Sequence, residues 1–318
     1  MRILIFIAAA CLAATQAAAQ GFPSGIIRII VSFPPGGGND VYARAIAPKL
    51  QERYGYPVIV ENKPGAGGNI GTMMVVKSPP DGHTLVVAHN GLAMQPWLSK
   101  NVPFDLEKDL APVCVSLKLP MAAVVNPDLP VRSVNELVSY AKSNPGRIAF
   151  AIPGFGTPHH MYAELFMSMT GTKMVAVPYK GAAGMIPDLM SGQVQLMFGA
   201  LNSALAHIKS GRLRAIGIGE RQRLASLADV PAIGESLPGY EAGFWFGLMA
   251  PAGTPEAVLN RIAQDVGEIV NLPDVAPRLR NVGFEVSPGS PAQMRALIRS
   301  ELQKWEKVVK DAGIKPAD

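Results

Sequence analysis

The stretch IIRIIVSFPPGGGNDVYARAIAPKL, residues 26–50, decides the fold class of this chain. The apolar run over 26–33 predicts a buried strand, and apolar residues at helical spacing predict a helix over 40–54. Three consecutive glycines, Gly36, Gly37 and Gly38, join the two elements. Glycine costs about 0.5–1 kcal/mol per residue relative to alanine in ordered structure, so its use here needs a reason. Either the turn is tight, or its backbone amides hold an anion at the helix N-terminus.

The order of strand, turn and helix recurs along the chain. Further strands are predicted at residues 58–62, 84–90, 147–154, 174–181 and 194–200. Short apolar strands that alternate with helices favour parallel sheets covered on both faces. Two extended apolar segments flanked by proline, 119–127 and 244–251, predict two crossings between domains and therefore a hinge.

Residues 1–19 have the pattern of a secretory signal peptide. One arginine, an apolar core and a small-residue end at Ala19 precede Gln20. Cys11 leaves lipoprotein processing open as a less favoured alternative. Cleavage near Ala19 leaves Cys114 as the only cysteine, in an apolar setting typical of a buried small hydrophobe. We therefore expect an exported periplasmic protein without disulfides.

Charge and loop spacing argue against several classes of function. The 29 basic and 24 acidic residues give a net charge of +5, and the basic residues are scattered. Scattered charge argues against nucleic-acid binding, whereas a mildly basic surface suits an anionic ligand. None of the glycine-rich loops ends in Gly-Lys-Ser/Thr, and Gly65, Gly67 and Gly71 miss the GxGxxG spacing. We expect no nucleotide and no other cofactor.

Four turns at the predicted carboxyl ends of strands are glycine-rich or well capped: PPGGGND, KPGAGGNIG, GFGTPHH and YKGAAG. Ligands of open α/β sheets bind at this edge. Two of the turns fall in each expected domain, so we predict that they face one another and hold a carboxylate through backbone amides. Thr157 is a predicted helix cap, and Asp40 is expected to orient its loop. Phe33, Phe155 and His159 are expected to select the remainder of the ligand.

Two other kinds of site are weighed against carboxylate binding. His160 and Glu164 are four residues apart and share a helix face, so a metal-binding receptor is one alternative. An exported enzyme acting on carboxylates or esters is the other, although the chain has neither GxSxG nor HExxH, and we expect no enzyme. Trp245 and its two flanking phenylalanines are predicted to be hinge core.

Seven motifs, read in order, resemble one family: FPPGGGNDVYAR, VENKPGAGGNIG, SPPDGHTL, GTPHH, VPYKGAA, LADVPAIGESLPGY and FWFGLMAPAGTP. The chain resembles the Bug family of periplasmic solute-binding proteins, the TctC-type receptors of tripartite tricarboxylate transporters. The resemblance implies a type II periplasmic-binding-protein fold of class α/β, with two domains that each have a mostly parallel central sheet flanked by helices. The expected domains are 20–120 with 248–318, and 121–247, joined by a two-crossing hinge around a ligand cleft.

The resemblance also implies how the protein works. A small carboxylate, either a di- or tricarboxylate or an aromatic acid, is expected to be captured by hinge closure and presented to a membrane transporter or a sensor kinase. We expect a monomer. The predicted ligand-binding residues are Phe33, Gly36, Gly37, Gly38, Asn39, Asp40, Ala66, Gly67, Gly68, Asn69, His89, Gly154, Phe155, Gly156, Thr157, His159, Tyr179, Gly181, Ala182, Ala183 and Gly199.

The chain departs from the family pattern at a few positions. Asn39 stands where the family usually has a smaller residue, and His159 and His160 replace a more usual Ser/Gly-His pair. Gly199 stands where the family commonly has an aspartate that can meet a ligand amine. This departure favours plain or aromatic carboxylates over amino acids.

Overall fold

The computed structural model describes residues 21–179, 184–314 and 316, so the predicted signal peptide lies outside it. The strands of this part are β1 (Ile27–Val31), β2 (Val58–Asn62), β3 (Thr84–His89), β4 (Leu110–Val125), β5 (Ala149–Ile152), β6 (Val175–Pro178), β7 (Leu196–Ala200), β8 (Arg214–Ile218), β9 (Gly243–Pro251) and β10 (Glu285–Val286). The helices are α1 (Gly38–Tyr54), α2 (Asn69–Val76), α3 (Asn90–Leu98), α4 (Val134–Ser143), α5 (Pro158–Thr170), α6 (Met185–Ser191), α7 (Leu201–Lys209), α8 (Ile233–Ser236), α9 (Glu256–Val270), α10 (Ala276–Asn281) and α11 (Pro291–Ala312).

The strands form two sheets that share β4. The first sheet has the order β2-β1-β3-β9-β4-β10, and only the β1 pairings with β2 and β3 are parallel. The second has the order β8-β4-β7-β5-β6, and β5 is parallel to β6 and β7. The α/β class is confirmed, and the structure adds that both sheets are mixed. Parallel pairing occurs where a helix connects the strands, because such a crossover returns the chain in the same direction.

The strand β4 forms one crossing between the sheets, and the chain returns just before β9. Residues 110–120 of β4 pair with β9, and residues 121–125 pair with β7 and β8. The whole of β9 pairs with the first sheet, beginning with Gly243 opposite Pro120. The expected boundary between residues 247 and 248 therefore falls inside β9. The pairing places residues 243–247 with the first sheet as well. The domain bounds stay a prediction, and this pairing favours an exchange near Gly243.

Each sheet is covered by helices whose apolar faces pack on it. Phe150, Phe166 and Phe198 are almost fully buried in the second unit, and Ile29, Ile30 and Ile46 in the first. Cys114 is a free thiol, 1% exposed, in line with its predicted role as a small core residue. The last helix, α11, begins with a capping box formed by Ser290 and Gln293. Of the helices in the described ranges, none is both long and apolar enough to cross a membrane.

Candidate ligand-binding site

The loop over 32–37 carries the chain from β1 into α1. Gly36 has a φ of 88°, a left-handed conformation that glycine adopts without a steric penalty. Asp40, 4% exposed, accepts hydrogen bonds from the Gly36 amide at 3.0 Å, from Asn62 Nδ2 at 2.9 Å and from Arg44 Nε at 3.0 Å. Burial by itself raises the pKa of Asp40, but these hydrogen bonds outweigh it and the pKa is lowered. The carboxylate therefore holds the loop and is already saturated with donors.

The loop over 63–68 packs directly on the first loop. Gly68 has a φ of 101°, and a Cβ there would lie 3.3 Å from Ser32 Cβ and 3.5 Å from the Phe33 ring. Ala66 also has a positive φ, 47°, which a residue with a side chain adopts at some cost in strain. Gln95 Nε2 donates to the carbonyl oxygen of Gly67. The conformation of this loop thus depends on close contact with α3 and with the end of β1.

His89 ends β3 and caps α3. Its Nδ1 accepts a hydrogen bond from the Gly91 amide at 3.0 Å, and its ring lies edge-on to Phe33, with centroids 5.0 Å apart. The residue is 8% exposed, and burial lowers the pKa of His89 to about 4, so the ring is neutral at pH 7. His89 and Phe33 therefore lie together at the carboxyl end of the first sheet.

On the second sheet, the loop over 153–157 leads from β5 into α5. Thr157 occupies the N-cap position, but its hydroxyl donates to the Gly154 carbonyl at 2.7 Å and caps no helical amide. His160 is 7% exposed and accepts from the Gly156 amide at 3.3 Å. Phe155, by contrast, is 66% exposed at the rim.

The pair His160 and Glu164, weighed from sequence as metal ligands, interact with each other. His160 Nε2 lies 3.3 Å from Glu164 Oε1. Among residues 21–179 and 184–314, no group of three side chains is arranged to hold a metal ion. A metal-binding receptor therefore finds no support in this part of the chain.

The strand β9 connects the two halves of the site. Phe244 and Phe246 point to the same face because they are two residues apart. The His159 ring lies 5.2 Å from the Phe244 ring, and a Cβ at Gly38 would lie 3.0 Å from Phe246 Cζ. Trp245 and both phenylalanines are at most 8% exposed, as predicted for hinge core. The sequence did not indicate that Phe244 and Phe246 also contact the loops of both sheets.

Gly199 makes room for His159. A Cβ at Gly199 would lie 3.2 Å from His159 Cδ2 and 3.1 Å from Met197 Sδ. Burial lowers the pKa of His159 to about 4, so this ring is also neutral at pH 7. The imidazole of His159, on α5, therefore lies against Gly199, in the space that a side chain at position 199 would need.

The fourth predicted loop is only partly described. Tyr179 donates its hydroxyl hydrogen to Asp188 Oδ2 at 2.7 Å, and burial, followed by this hydrogen bond, raises the pKa of Tyr179 to about 12. Gly181, Ala182 and Ala183 lie outside the described residues. Tyr179 places the start of this loop beside α6.

Four of the predicted site residues carry buried polar atoms without a hydrogen-bond partner in the described ranges: Asn39 Oδ1, Asn69 Oδ1, His89 Nε2 and His159 Nδ1. Buried polar groups in proteins are nearly always hydrogen-bonded, so each such atom needs an explanation. Asn39, Asn69 and His159 lie on helices that follow turns predicted from sequence to bind an anion, and His89 ends the neighbouring strand β3. A bound ligand and its waters would supply the missing partners.

The two sheets touch at several points around these loops. Asn90 Nδ2 donates to the Tyr162 hydroxyl at 2.6 Å, and that hydroxyl donates to the Gly243 carbonyl at 2.5 Å. Asn202 Nδ2 donates to the Val282 carbonyl at 2.8 Å. Asn90 and Tyr162 were not predicted from sequence, since a polar pair separated by 72 positions leaves no local pattern.

Two large grooves on the described surface lie away from these loops. One of about 740 Å³ runs beside Glu220 and Arg221, and one of about 650 Å³ lies between Trp97 and α11. Charged side chains in both grooves pair with each other: Arg221 with Glu241 at 2.7 Å, and Arg299 with Glu107 at 3.0 Å. Glu220 Oε2 and Trp97 Nε1 beside these grooves lack a partner in the described ranges, as do the four atoms near the loops. The loops are the stronger candidate site because they bring together the carboxyl ends of strands from both sheets.

The two mixed sheets joined by two crossings, with loops of both converging at their carboxyl edges, define a periplasmic-binding-protein fold. Residues 42–314 match the family described as tripartite tricarboxylate transporter family receptor, TctC, and the chain belongs to this family. The protein BugT of Bordetella pertussis is 36% identical over 98% of this chain and 96% of its own length.

Two solved structures share both sequence and fold with this chain. Rpa4515 of R. palustris, solved with adipate, is 34% identical with a TM-score of 0.78, over 93% of this chain and 100% of that one. MatC from Rhodopseudomonas palustris, solved with bound malate, is 30% identical with a TM-score of 0.75, over 91% of this chain and 100% of that one. These relatives belong to a family of periplasmic binding receptors.

Proposed function

We propose that this protein is an exported receptor that captures a small carboxylate between its two sheets by hinge closure. The observation that carries the proposal is the pair of buried, unpartnered imidazole nitrogens, His89 Nε2 and His159 Nδ1, at helix starts in both sheets. The relatives solved with adipate and malate support a carboxylate as the ligand.

The proposed binding chemistry uses neutral donors. The first amides of α1 and α5 have no intrahelical acceptors, and the helix dipoles favour an anion at both N-termini. Loops 33–40 and 65–69 of the first sheet and 154–160 and 179–183 of the second would enclose the carboxylate. A ligand that contacts both sheets favours the closed form because it gains contacts only there.

The proposed role continues at the membrane. The closed receptor would be bound by the membrane subunits of a tripartite transporter or by a sensor kinase. It would act as a monomer and would have no catalytic activity. The mature chain would begin near Gln20, in the periplasm. Domain bounds of about 21–120 with 243–314, and 121–242, are proposed from the pairing of β9 with the first sheet.

A thermal-shift screen followed by calorimetry tests the proposal. A carboxylate at 100 times its dissociation constant adds about 2.7 kcal/mol of stability, which corresponds to a rise in Tm of about 5–10 °C. Mono-, di- and tricarboxylates, aromatic acids and zinc form the panel. A response to zinc alone would refute the carboxylate receptor.

A matched pair of glycine variants shows whether the loops bind the ligand. Gly68→Ala and Gly171→Ala both place alanine at a left-handed φ, 101° and 67°. Gly68 belongs to a proposed ligand loop, whereas Gly171 ends α5, where an added Cβ would meet no atom within 4 Å. Only Gly68→Ala is expected to weaken ligand affinity, by about tenfold or more, and equal affinities in both variants would contradict the assignment of this loop.

A further inference from the structure

The second sheet has two edges, and the candidate ligand loops occupy only the carboxyl one. At the opposite edge, the starts of β5, β6, β7 and β8 lie in a row with the end of β4. The register shows this, because Val125 pairs with both Leu196 and Arg214. Ala149 pairs with Val175 in the same row. Five neighbouring strands make the row about 19 Å wide, and the segments that connect them form one surface.

This surface brings together basic residues that are scattered in the sequence. The segments 126–136, 142–148, 171–174 and 207–213 contain six lysines and arginines but only two acids, Asp128 and Glu136. All six basic residues are exposed. We call this surface the basic edge, and its six basic residues are Arg132, Lys142, Arg147, Lys173, Lys209 and Arg212.

The residues of the basic edge have no acidic partner. Within the described ranges, none of the six forms an ion pair. Beside the hinge, by contrast, Arg221 pairs with Glu241 at 2.7 Å. Glu136, one of the two acids, accepts a hydrogen bond from the Arg132 amide at 2.7 Å. The basic edge therefore carries a net positive charge that neighbouring side chains do not neutralise.

Helix ends explain part of this distribution. Lys142 and Lys209 lie in the last turns of α4 and α7, where the helix dipole favours a cation. Arg147, Lys173 and Arg212 lie in connections outside the helices. The helix dipole therefore does not account for the excess of positive charge across the whole edge.

We propose that the basic edge binds the anionic phospholipid surface of a membrane. Exposed lysines and arginines strengthen such binding by electrostatic attraction and need no pocket. Of the large apolar residues that are exposed in the described ranges, only Val175 lies at this edge. A stable protein partner would need an apolar centre with well-packed anchors. A surface of mobile anionic headgroups needs only the positive charge.

Binding through the basic edge would leave the candidate ligand site free. The strand β5 runs from Ala149 at the basic edge to Ile152 beside the loop over 153–157, so the two surfaces lie at opposite ends of the sheet. A receptor held in this way would keep its ligand loops accessible and would stay close to a membrane-bound partner. The inference adds a second surface to the proposed receptor and does not depend on the identity of the ligand.

Vesicle sedimentation with the purified mature protein tests the proposal. The probe is vesicles of equal parts phosphatidylglycerol and phosphatidylcholine, and vesicles of phosphatidylcholine alone are the reference. We expect binding to the anionic vesicles only. Binding should weaken at least about tenfold as the ionic strength rises from about 0.01 M to 0.15 M, because the Debye length falls from about 30 Å to about 8 Å.

A matched pair of double variants locates the binding surface. One variant, Arg147→Gln with Lys173→Gln, removes two charges from the basic edge. The control, Arg278→Gln with Arg280→Gln, removes two exposed charges from α10. Each basic residue near an anionic surface strengthens binding about fivefold. The first variant should therefore bind the anionic vesicles about 25-fold more weakly, and the control less than about threefold. Thermal melts confirm that both variants are folded.

The outcomes are separate from those of the proposed function. Equal losses in the two double variants would show that binding follows net charge and not this edge, and would overturn the proposal. Absence of binding to the anionic vesicles at low ionic strength, or equal binding to phosphatidylcholine alone, would also overturn it. Carboxylate binding in calorimetry tests the proposed function independently, because neither double variant changes a candidate ligand loop.

Discussion

The loop after β1 and the hinge each bury one carboxyl group, and the pKa values of the two groups are shifted in opposite directions. Asp40 receives hydrogen bonds from Gly36, Asn62 and Arg44, and its pKa is lowered. Glu220 packs against Gly243, where β9 begins, and its Oε2 has no partner in the described ranges. Burial, followed by the charge of Glu285, raises the pKa of Glu220 to about 8.

The difference teaches that hydrogen-bond donors can outweigh the desolvation that otherwise raises the pKa of a buried acid. At pH 7 Asp40 is ionised and holds a loop that we propose binds the ligand, whereas Glu220 is largely protonated beside the crossing. The backbone next to Glu220 is well satisfied, since Gly219 donates to Met121 at 2.8 Å and Ala242 donates to Gly219 at 2.9 Å. The surroundings of Glu220 in the hinge therefore disfavour the charged form of this acid.

The largest expected effect concerns Glu220. Its folded pKa of about 8 exceeds the ordinary value of 4.5, so its stabilising contribution is full below pH 4.5 and is lost as pH rises through 8. We expect roughly 2–4 kcal/mol of stability to be lost across this interval. Glu220→Gln mimics the protonated acid and should flatten the loss in urea titrations between pH 5 and 9. Glu241→Gln, a half-exposed neighbour, is the control. A pH profile of Glu220→Gln that runs parallel to that of the unmodified protein would contradict the role of Glu220.

Asp40→Asn should have the next largest effect and the opposite pH dependence. The loss of the charge weakens hydrogen bonds from Arg44, Gly36 and Asn62, with an expected destabilisation of about 2–3 kcal/mol at pH 7. Because the folded pKa is lowered, this contribution is present above the ordinary value of 3.8 and is lost as pH falls through the folded pKa. Chemical denaturation at pH 7 and pH 3 measures both effects.

The control for Asp40→Asn is Glu52→Gln, an exposed partner of Lys49 whose loss should change stability by less than about 0.5 kcal/mol. A similar small effect of Asp40→Asn would show that the buried carboxylate does not hold the loop.

Tyr162→Phe tests the hydrogen bonds that join α5 of the second sheet to α3 and β9 of the first. The variant removes a hydroxyl that accepts from Asn90 and donates to Gly243, so two buried groups lose their partner. We expect a destabilisation of about 1–2 kcal/mol and a shift of the ligand-free protein towards an open form in small-angle scattering. Tyr56→Phe is the exposed control. Unchanged scattering with an unchanged Tm would show that the link does not restrain the hinge.

Phe155→Ala should have the smallest effect on stability. The side chain is 66% exposed, so the free energy of unfolding should change by less than about 0.5 kcal/mol. If the rim of the cleft covers the ligand, affinity for the best acid should still fall several-fold in calorimetry. A change in stability without a change in ligand affinity would show that Phe155 contributes to the core and not to ligand binding.

Much of the fold could be predicted from local sequence. The strand, the three glycines and the helix over 26–50 were predicted close to their observed bounds, because alternation and helical spacing are local patterns. The antiparallel pairing of β4 and β9 could not be predicted. It joins Pro120 to Gly243, and such a distant pair leaves no periodic signal.

Part of the candidate site was predicted from sequence because its turns are also local patterns. Glycine-rich turns indicated three of the loops that the structure describes, whereas the neighbours of their side chains depended on distant contacts. Thr157 was predicted to cap α5, but its hydroxyl turns to Gly154. Sequence also did not show that Phe244 would contact His159.

The sequence by itself determined the α/β class, the positions of the loops and the family, because these depend on local patterns and on ordered motifs. The tertiary structure decided which polar groups are left without a partner and which acids are charged. Asp40 and Glu220 are both carboxylic acids in the sequence, and only their folded surroundings give them opposite pKa shifts. The physical reason is that protonation depends on desolvation and on donors that distant segments bring together.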